Sequence, residues 1–391
     1  MIMFSRIIVL AVLLLFTFLF SACGAAPAAP QPTPTLPAVE EISPTETLLA
    51  PMETAVPNDT PTPPSATTEP TDPADPTATS VPATATTPAT PAANLVIDHN
   101  SVALFEQIPE QYLQDAAALR MFFVNRSVGG NINNGLDCLS YDTDEDAPNY
   151  CSRWEHPGTP SYPVDSSEVD WSRPGGYDNS NWDYFFWPNA ATPSITCSAA
   201  TSQWWDRAEC FTQFASQEAS NYDVMSFQFG YLAVLPDATI DDQPDGFFWD
   251  NETRFDAYDL DAWEADYPDK AFIYWTISLA RSIGTQESKN FNNQMRQWTS
   301  DNDKILFDLA DILSHTPDGT PCYDNRDGVA YSINSNSENY PDDGLNTPAI
   351  CPHYTSEIDG GHLGSPSAGM IRVSKAYWVL MAHIAGWDGE P

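Results

Sequence analysis

Four short apolar runs punctuate the C-terminal three-quarters of the chain: Leu119–Val124 (LRMFFV), Tyr222–Phe229 (YDVMSFQF), Lys270–Ile277 (KAFIYWTI) and Lys304–Leu309 (KILFDL). Each has the length of a strand and is too continuously apolar to leave one face in water, which is the pattern of central strands in a parallel sheet. Between them the period changes to that of a helix. Pro109–Ala118 opens with proline in its first turn, and Phe291, Met295 and Trp298 recur at i, i+4 and i+7. The last helix has the clearest limits: Ser365-Pro366 supplies a cap and a first-turn proline, the apolar face runs through Ile371, Ala376, Leu380 and Ile384, and Gly386 ends it. Strands alternating with helices predict an α/β domain built on a parallel sheet.

Two long stretches, 138–221 and 317–356, interrupt the alternation and are expected as insertions into one domain spanning 95–391. Both are rich in Asp, Asn, Ser, Pro and Gly, and both hold cysteines. Irregular stretches of this length within a compact domain are usually functional. The first carries Trp154, Trp171, Trp182, Trp187, Trp204 and Trp205. Flat aromatic faces at that density can line a sugar-binding cleft, and a satellite core around two disulfides accounts for most of them equally well.

The first 94 residues change the picture from a domain to an exported, tethered one. Arg6, an apolar run from Ile7 to Phe20 and the small residues Ser21-Ala22 before Cys23 follow the order of a secretory signal, and the run is short for a spanning helix. Cys23 after small residues resembles the bacterial lipobox, with Phe20 where Leu is usual; the resemblance implies a lipoprotein-type signal peptide over 1–22 and a lipidated Cys23. An ordinary signal cut near Ala22 or Ala25 is the alternative. Residues 24–94 contain no Lys, Arg, Trp, Tyr or Phe and are dominated by Pro, Thr, Ala and Ser. They lack the means to form a core, so 23–94 is expected as a disordered, extended linker. Either cleavage places the domain outside the cytoplasm, and with Cys23 lipidated the N-terminal lipid alone holds it to the membrane.

The chain carries 54 acidic residues against 15 Lys and Arg, a formal charge of -39, of which -32 falls after residue 94. Such a field repels nucleic acid and anionic membrane surfaces, and favours neutral or cationic partners. Six cysteines follow Cys23, and an even number in an exported chain reads as disulfides. Neighbours in sequence are the simplest pairing: Cys138 with Cys151, Cys197 with Cys210, and Cys322 with Cys351. A metal cluster at the cysteines is less well supported, because no C-x-x-C occurs and the histidines lie apart from them.

The first strand runs into Asn125-Arg126-Ser127-Val128-Gly129-Gly130-Asn131-Ile132, which places a serine where the strand stops and a helix begins. Ligands of α/β proteins bind beyond the carboxyl ends of the strands. A hydroxyl there can attack, and amides at the helix start can hold an oxyanion; a plain Ser N-cap is the alternative. A base is offered by Ile358-Asp359-Gly360-Gly361-His362-Leu363-Gly364, where Asp at i and His at i+3 can let the carboxylate orient the ring. His99, His156, His315, His353 and His383 lack such a setting.

A strand-terminal Ser, then alternating strands and helices, then D-x-x-H before the last helix resembles the SGNH hydrolase superfamily, the GDSL-like lipases and esterases, over about Leu95 to Trp387. The first block is divergent here, without Gly-Asp before Ser127. The resemblance implies a three-layer α/β/α sandwich with a central, flavodoxin-like parallel sheet of about five strands. It further implies Ser127 as nucleophile, His362 as general base and Asp359 as the group that orients it, with no cofactor and no metal. The oxyanion is expected on Gly129 and Gly130. The Asn usual after Gly230 is absent, leaving Gln228 or Tyr231 as donors, and Gly175 and Gly176 are among the candidates for the displaced Gly block.

The substrate class that follows is a carboxylic ester, with O-acylated carbohydrate suggested by the aromatic stretch. Two readings compete with it: a carbohydrate-binding module on a degenerate scaffold, and a structural surface lipoprotein. The acidic runs Asp142–Asp146 and Asp324–Gly328 lack the downstream Glu of a calcium loop and read as solvated loops.

Overall fold

The computed structural model describes residues 94–141, 147–151, 177–186, 203–234, 238–280, 285–324, 346–352, 354–355, 357, 360–363 and 368–390. The chain divides into two units, Met1–Ser80 and Val81–Pro391, and every described residue belongs to the second. The expected lipidation site Cys23, Gly175 and Gly176, Asp359 and the acidic runs from Asp142 and after Asp324 lie outside the described residues.

Six parallel strands form one sheet in the order β1-β6-β5-β4-β2-β3: β1 Val96–Ile97, β2 Met121–Asn125, β3 Trp182–Phe186, β4 Val224–Phe227, β5 Ala271–Trp275 and β6 Ile305–Phe307. The four apolar runs are β2, β4, β5 and β6, each buried along its whole length. Alternate residues serve opposite faces. Met121, Phe123, Val224, Ile273, Trp275 and Phe307 pack with helices α1 (Glu110–Ala118), α2 (Ser127–Ser140) and α7 (Ala368–Ile384). Phe122, Val124, Met225, Phe272, Tyr274 and Leu306 pack on the other side with α3 (Trp204–Glu218), α4 (Ala257–Ala265) and α5 (Gln286–Asp301). A short helix α6 (Leu309–Leu313) follows β6.

The stretch 138–221 does more than interrupt the rhythm, because it supplies β3 at one edge of the sheet and α3 on one face. Two of its tryptophans are core residues as a result. Trp182 packs 4.4 Å from the Trp378 ring and gives its indole N–H to the Ala116 carbonyl, and Trp204 is buried against Phe247. Trp205 is partly buried with the Arg254 guanidinium 4.5 Å over its ring. Trp154, Trp171 and Trp187 lie outside the described residues.

Cys138 is bonded to Cys151 and Cys322 to Cys351, with Cα atoms 5.5 and 5.2 Å apart, as neighbour pairing predicts. Cys210 is disulfide-bonded as well, and Cys197 lies outside the described residues. Such bonds point to an oxidising, extracytoplasmic setting. Among the described residues no helix is long and apolar enough to cross a membrane.

Helix α7 is buried on nearly every side and crosses α2 at very close range. The approach depends on Gly135: a Cβ there would stand 2.3 Å from Ser374 Oγ and 2.5 Å from the Met370 carbonyl oxygen. The carbonyl belongs to a helix backbone and cannot swing aside. Gly135→Val should therefore destabilise the domain by about 1–3 kcal/mol, read as a lowered urea midpoint with unchanged slope.

Candidate active site

The carboxyl ends of β2 and β4 meet where the strand order reverses, between a strand with a neighbour on each side and the rest of the sheet. β2 ends at Asn125, Arg126 is extended (φ -108°, ψ -154°), and α2 begins at Ser127. Ser127 is thus the first helical residue and Arg126 the N-cap, which makes no side-chain cap bond; the plain Ser N-cap reading does not hold. The first amides of a helix have no partner within it, so those of Ser127, Val128 and Gly129 face outward along the axis. Gly130 differs, because its N–H is given to the Arg126 carbonyl at 3.2 Å. Gly129 has little room for a side chain: a Cβ would lie 2.5 Å from Asn125 Cβ and 2.8 Å from the Tyr184 ring.

Gln228 is 3% exposed and braces strand ends. Its oxygen accepts from Asn125 Nδ2, and its amide donates to the Thr276 carbonyl at 3.1 Å. Asn125 Oδ1 in turn accepts from the Arg126 N–H. This chain of amides couples the carboxyl ends of β2, β4 and β5. The hydrogen bonds of Gln228 thus run to protein groups within the sheet. Tyr231 opens the 3-10 turn Tyr231–Val234, and its ring stands edge-on to the His362 ring with centroids 6.1 Å apart.

His362 sits on the loop before α7, and among the described residues the acid beside it is Glu357. His362 Nδ1 is 2.7 Å from Glu357 Oε1, and the His362 backbone N–H donates to Glu357 Oε2 at 3.0 Å. Thr355 shapes this turn: its hydroxyl donates to the His362 carbonyl and accepts from the Glu357 N–H at 3.1 Å. With Nδ1–H donated to the carboxylate, Nε2 keeps the lone pair that a general base needs. The loop is fastened to the serine-bearing helix, because Leu363 N–H donates to Asn131 Oδ1 at 2.9 Å. Asn131 lies four residues after Ser127, on the same face of α2. Among the described residues no hydrogen bond joins the Ser127 hydroxyl to the His362 ring; the two groups are related through Asn131 and the helix.

The Glu357 carboxylate raises the His362 pKa above its usual value by bonding the charged ring, with burial opposing. Burial pushes Glu357 up, but the side-chain and backbone bonds from His362 outweigh it and hold the carboxyl below its usual value. The stability this pair contributes is therefore fully present between the two ordinary pKa values. It is lost as pH rises through the folded-state pKa of His362 and as pH falls through that of Glu357. A base must be neutral, so kcat/KM for any reaction using His362 should climb with pH along an acid limb centred above the value of about 6.5 usual for histidine. Rates between pH 5 and 9 measure that midpoint, and one below 6 removes His362 as the base.

Positive charge gathers at the same strand ends. Arg126 Nε is buried with no hydrogen-bond partner among the described residues. The Arg207 guanidinium, on α3, is pushed below its usual value by burial and by the like charge of Arg126. Elsewhere, two histidines that the sequence sets aside, His99 and His315, converge with Asp311 on one cluster of potential metal ligands. No protein-family model, curated protein or solved structure matches the chain.

Proposed function

We propose that the chain is a serine ester hydrolase of the SGNH, GDSL-like kind, exported and anchored through a lipid on Cys23. The observation that carries this reading is a histidine whose Nδ1 is bound to a carboxylate, on a loop fastened to the helix that Ser127 opens. The strand order supports it. Without the edge strand β1, the order from the other edge is β3-β2-β4-β5-β6, the 2-1-3-4-5 arrangement of flavodoxin-like sheets, in which ligands bind at the reversal beside the first strand.

In this mechanism His362 Nε2 takes the Ser127 proton as Oγ attacks the ester carbonyl, and returns it to the leaving alcohol. Water then repeats the sequence on the acyl-Ser127 ester, which releases the acid. Glu357 keeps the ring in the required tautomer. The amides of Ser127 and Gly129, in the first turn of α2, face the developing oxyanion, and Arg126 and Arg207 supply the positive field that an Asn donor gives elsewhere. Neither metal nor organic cofactor enters these steps. The substrate is a carboxylic ester; with Trp182 and Trp204 in the core, an acylated carbohydrate is one candidate among esters, and nucleic acid is not expected.

Hydrolysis of short-chain p-nitrophenyl esters by the purified mature chain, beside His362→Ala of the same circular dichroism, tests the reading. Turnover in the parent and its loss in the variant support it. No turnover on these esters or on acetylated xylan overturns it and leaves a binding module.

A further inference from the structure

Three side chains that ester hydrolysis does not use converge at the carboxyl ends of β1 and β6. His99 lies just after β1, Asp311 is in α6, and His315 follows that helix. His99 Nδ1 is 2.5 Å from Asp311 Oδ2, and the His99 backbone N–H donates to the same oxygen at 3.0 Å. His315 Nδ1 lies 3.3 Å from Asp311 Oδ1. The two imidazoles stack with centroids 4.0 Å apart and planes inclined by 14°. One ligand atom from each of the three residues falls within 4.8 Å of the others.

The cluster is held from several directions. The His315 carbonyl accepts from Tyr354 Oη at 2.8 Å, and the Cys322 N–H donates to the Ser314 carbonyl at 2.7 Å beside the Cys322–Cys351 disulfide. The rim is open enough to admit an ion and a water, since each of the three side chains is 20% exposed. Gly319, at φ +80°, turns the chain past His99; a Cβ there would be 3.8 Å from Nε2.

Two imidazole nitrogens and one carboxylate oxygen form the mixed donor set of borderline divalent ions, with water completing four ligands; magnesium and calcium prefer oxygen alone. Ligands about 2.0 Å from a tetrahedral ion stand about 3.3 Å apart. The His315–Asp311 separation of 3.3 Å already has that value, the His99–Asp311 pair has to open by less than about 1 Å, and binding would release His315 Nδ1 from the Asp311 carbonyl, 2.9 Å away, and tilt the stacked rings toward the ion. An acidic domain also draws cations toward every such cleft.

We propose that His99, Asp311 and His315 form a binding site for a borderline divalent cation, zinc first, that clamps the edge strand β1 to α6. β1 is two residues long and among the described residues pairs with β6 alone, so an ion that ties His99 to residues 212 and 216 positions away fixes what little of the N-terminal edge the sheet holds. The site is independent of Ser127 and His362.

The test titrates Zn(II) into the full mature chain after chelator treatment, by calorimetry and by thermal melting. One ion per chain is expected, with a rise in Tm of about 5 °C or more at a hundredfold excess over Kd. His99→Gln and His315→Gln should each weaken binding about 100-fold or more, and His383→Gln should not. Equal binding in all variants, or none in the parent, overturns the proposal. The visible spectrum of Co(II) on the unaltered chain gives a reading independent of variant folding: imidazole-ligated d–d bands support the site, and an aquo-ion spectrum overturns it.

Discussion

Ser127→Ala is expected to leave ester hydrolysis about four to six orders of magnitude below the parent in kcat/KM, because no other group can form the acyl intermediate. The residual rate would come from the oxyanion site and substrate binding alone. Stability should barely change. Ser127 is half-buried at the first helical position, the cap residue is Arg126, and surface-like positions of this kind shift stability by less than about 0.5 kcal/mol. Initial rates on a p-nitrophenyl ester and a urea midpoint separate the two effects. A variant that retains more than a tenth of the parent rate would remove Ser127 from the chemistry.

The second large effect is expected at Glu357 rather than at the acid of the D-x-x-H motif. Glu357→Gln should lower kcat/KM by about two to four orders, because the amide can hold the wrong tautomer of His362 and no longer stabilises the imidazolium. The acid limb should move to lower pH as the ring loses its carboxylate. Asp359→Asn, measured beside it, should stay within about threefold of the parent if Glu357 alone orients the ring. A larger loss at Asp359 than at Glu357 would restore the motif acid.

The strands of the sheet were not equally legible in the sequence. β2, β4, β5 and β6 were legible because a central parallel strand is buried on both faces, and the runs MFFV, VMSF, AFIYW and ILF are apolar throughout. β3 was not. Its Asp183, which accepts from Tyr222 Oη, and its position at an edge break the apolar signal. β1 is too short to leave any pattern. The helix α3 did carry a period, with Trp204, Ala208, Phe211 and Ala215 buried in turn, but it lies in a stretch whose polar and proline content suggested a loop.

At the candidate site, Ser127 and His362 could be named from their neighbours in sequence. Glu357 could not, because a carboxylate five residues before a histidine reaches it only through the turn that Thr355 closes. Asn125 and Asn131 stood inside the quoted motif. Their parts as a brace between strand ends and as the fastening of the histidine loop exist only after the sheet and α2 are assembled. Asp311 and His315 are one helical turn apart and visible as a pair. His99 joins them through the pairing of β1 with β6, which no local pattern announces.

That pairing also decides how the domain answers a mechanical load. A pull arriving from the chain before Asn94 reaches the sheet at β1, whose hold on β6 includes the bonds from Leu306 N–H to Leu95 O and from Asp308 N–H to Ile97 O, both 2.8 Å long. Tension would peel this strand away first, while Ser127 and His362, several strands across, stay at rest. The edge would act as a fuse, yielding under shear at the surface before force is transmitted to the carboxyl end of β2.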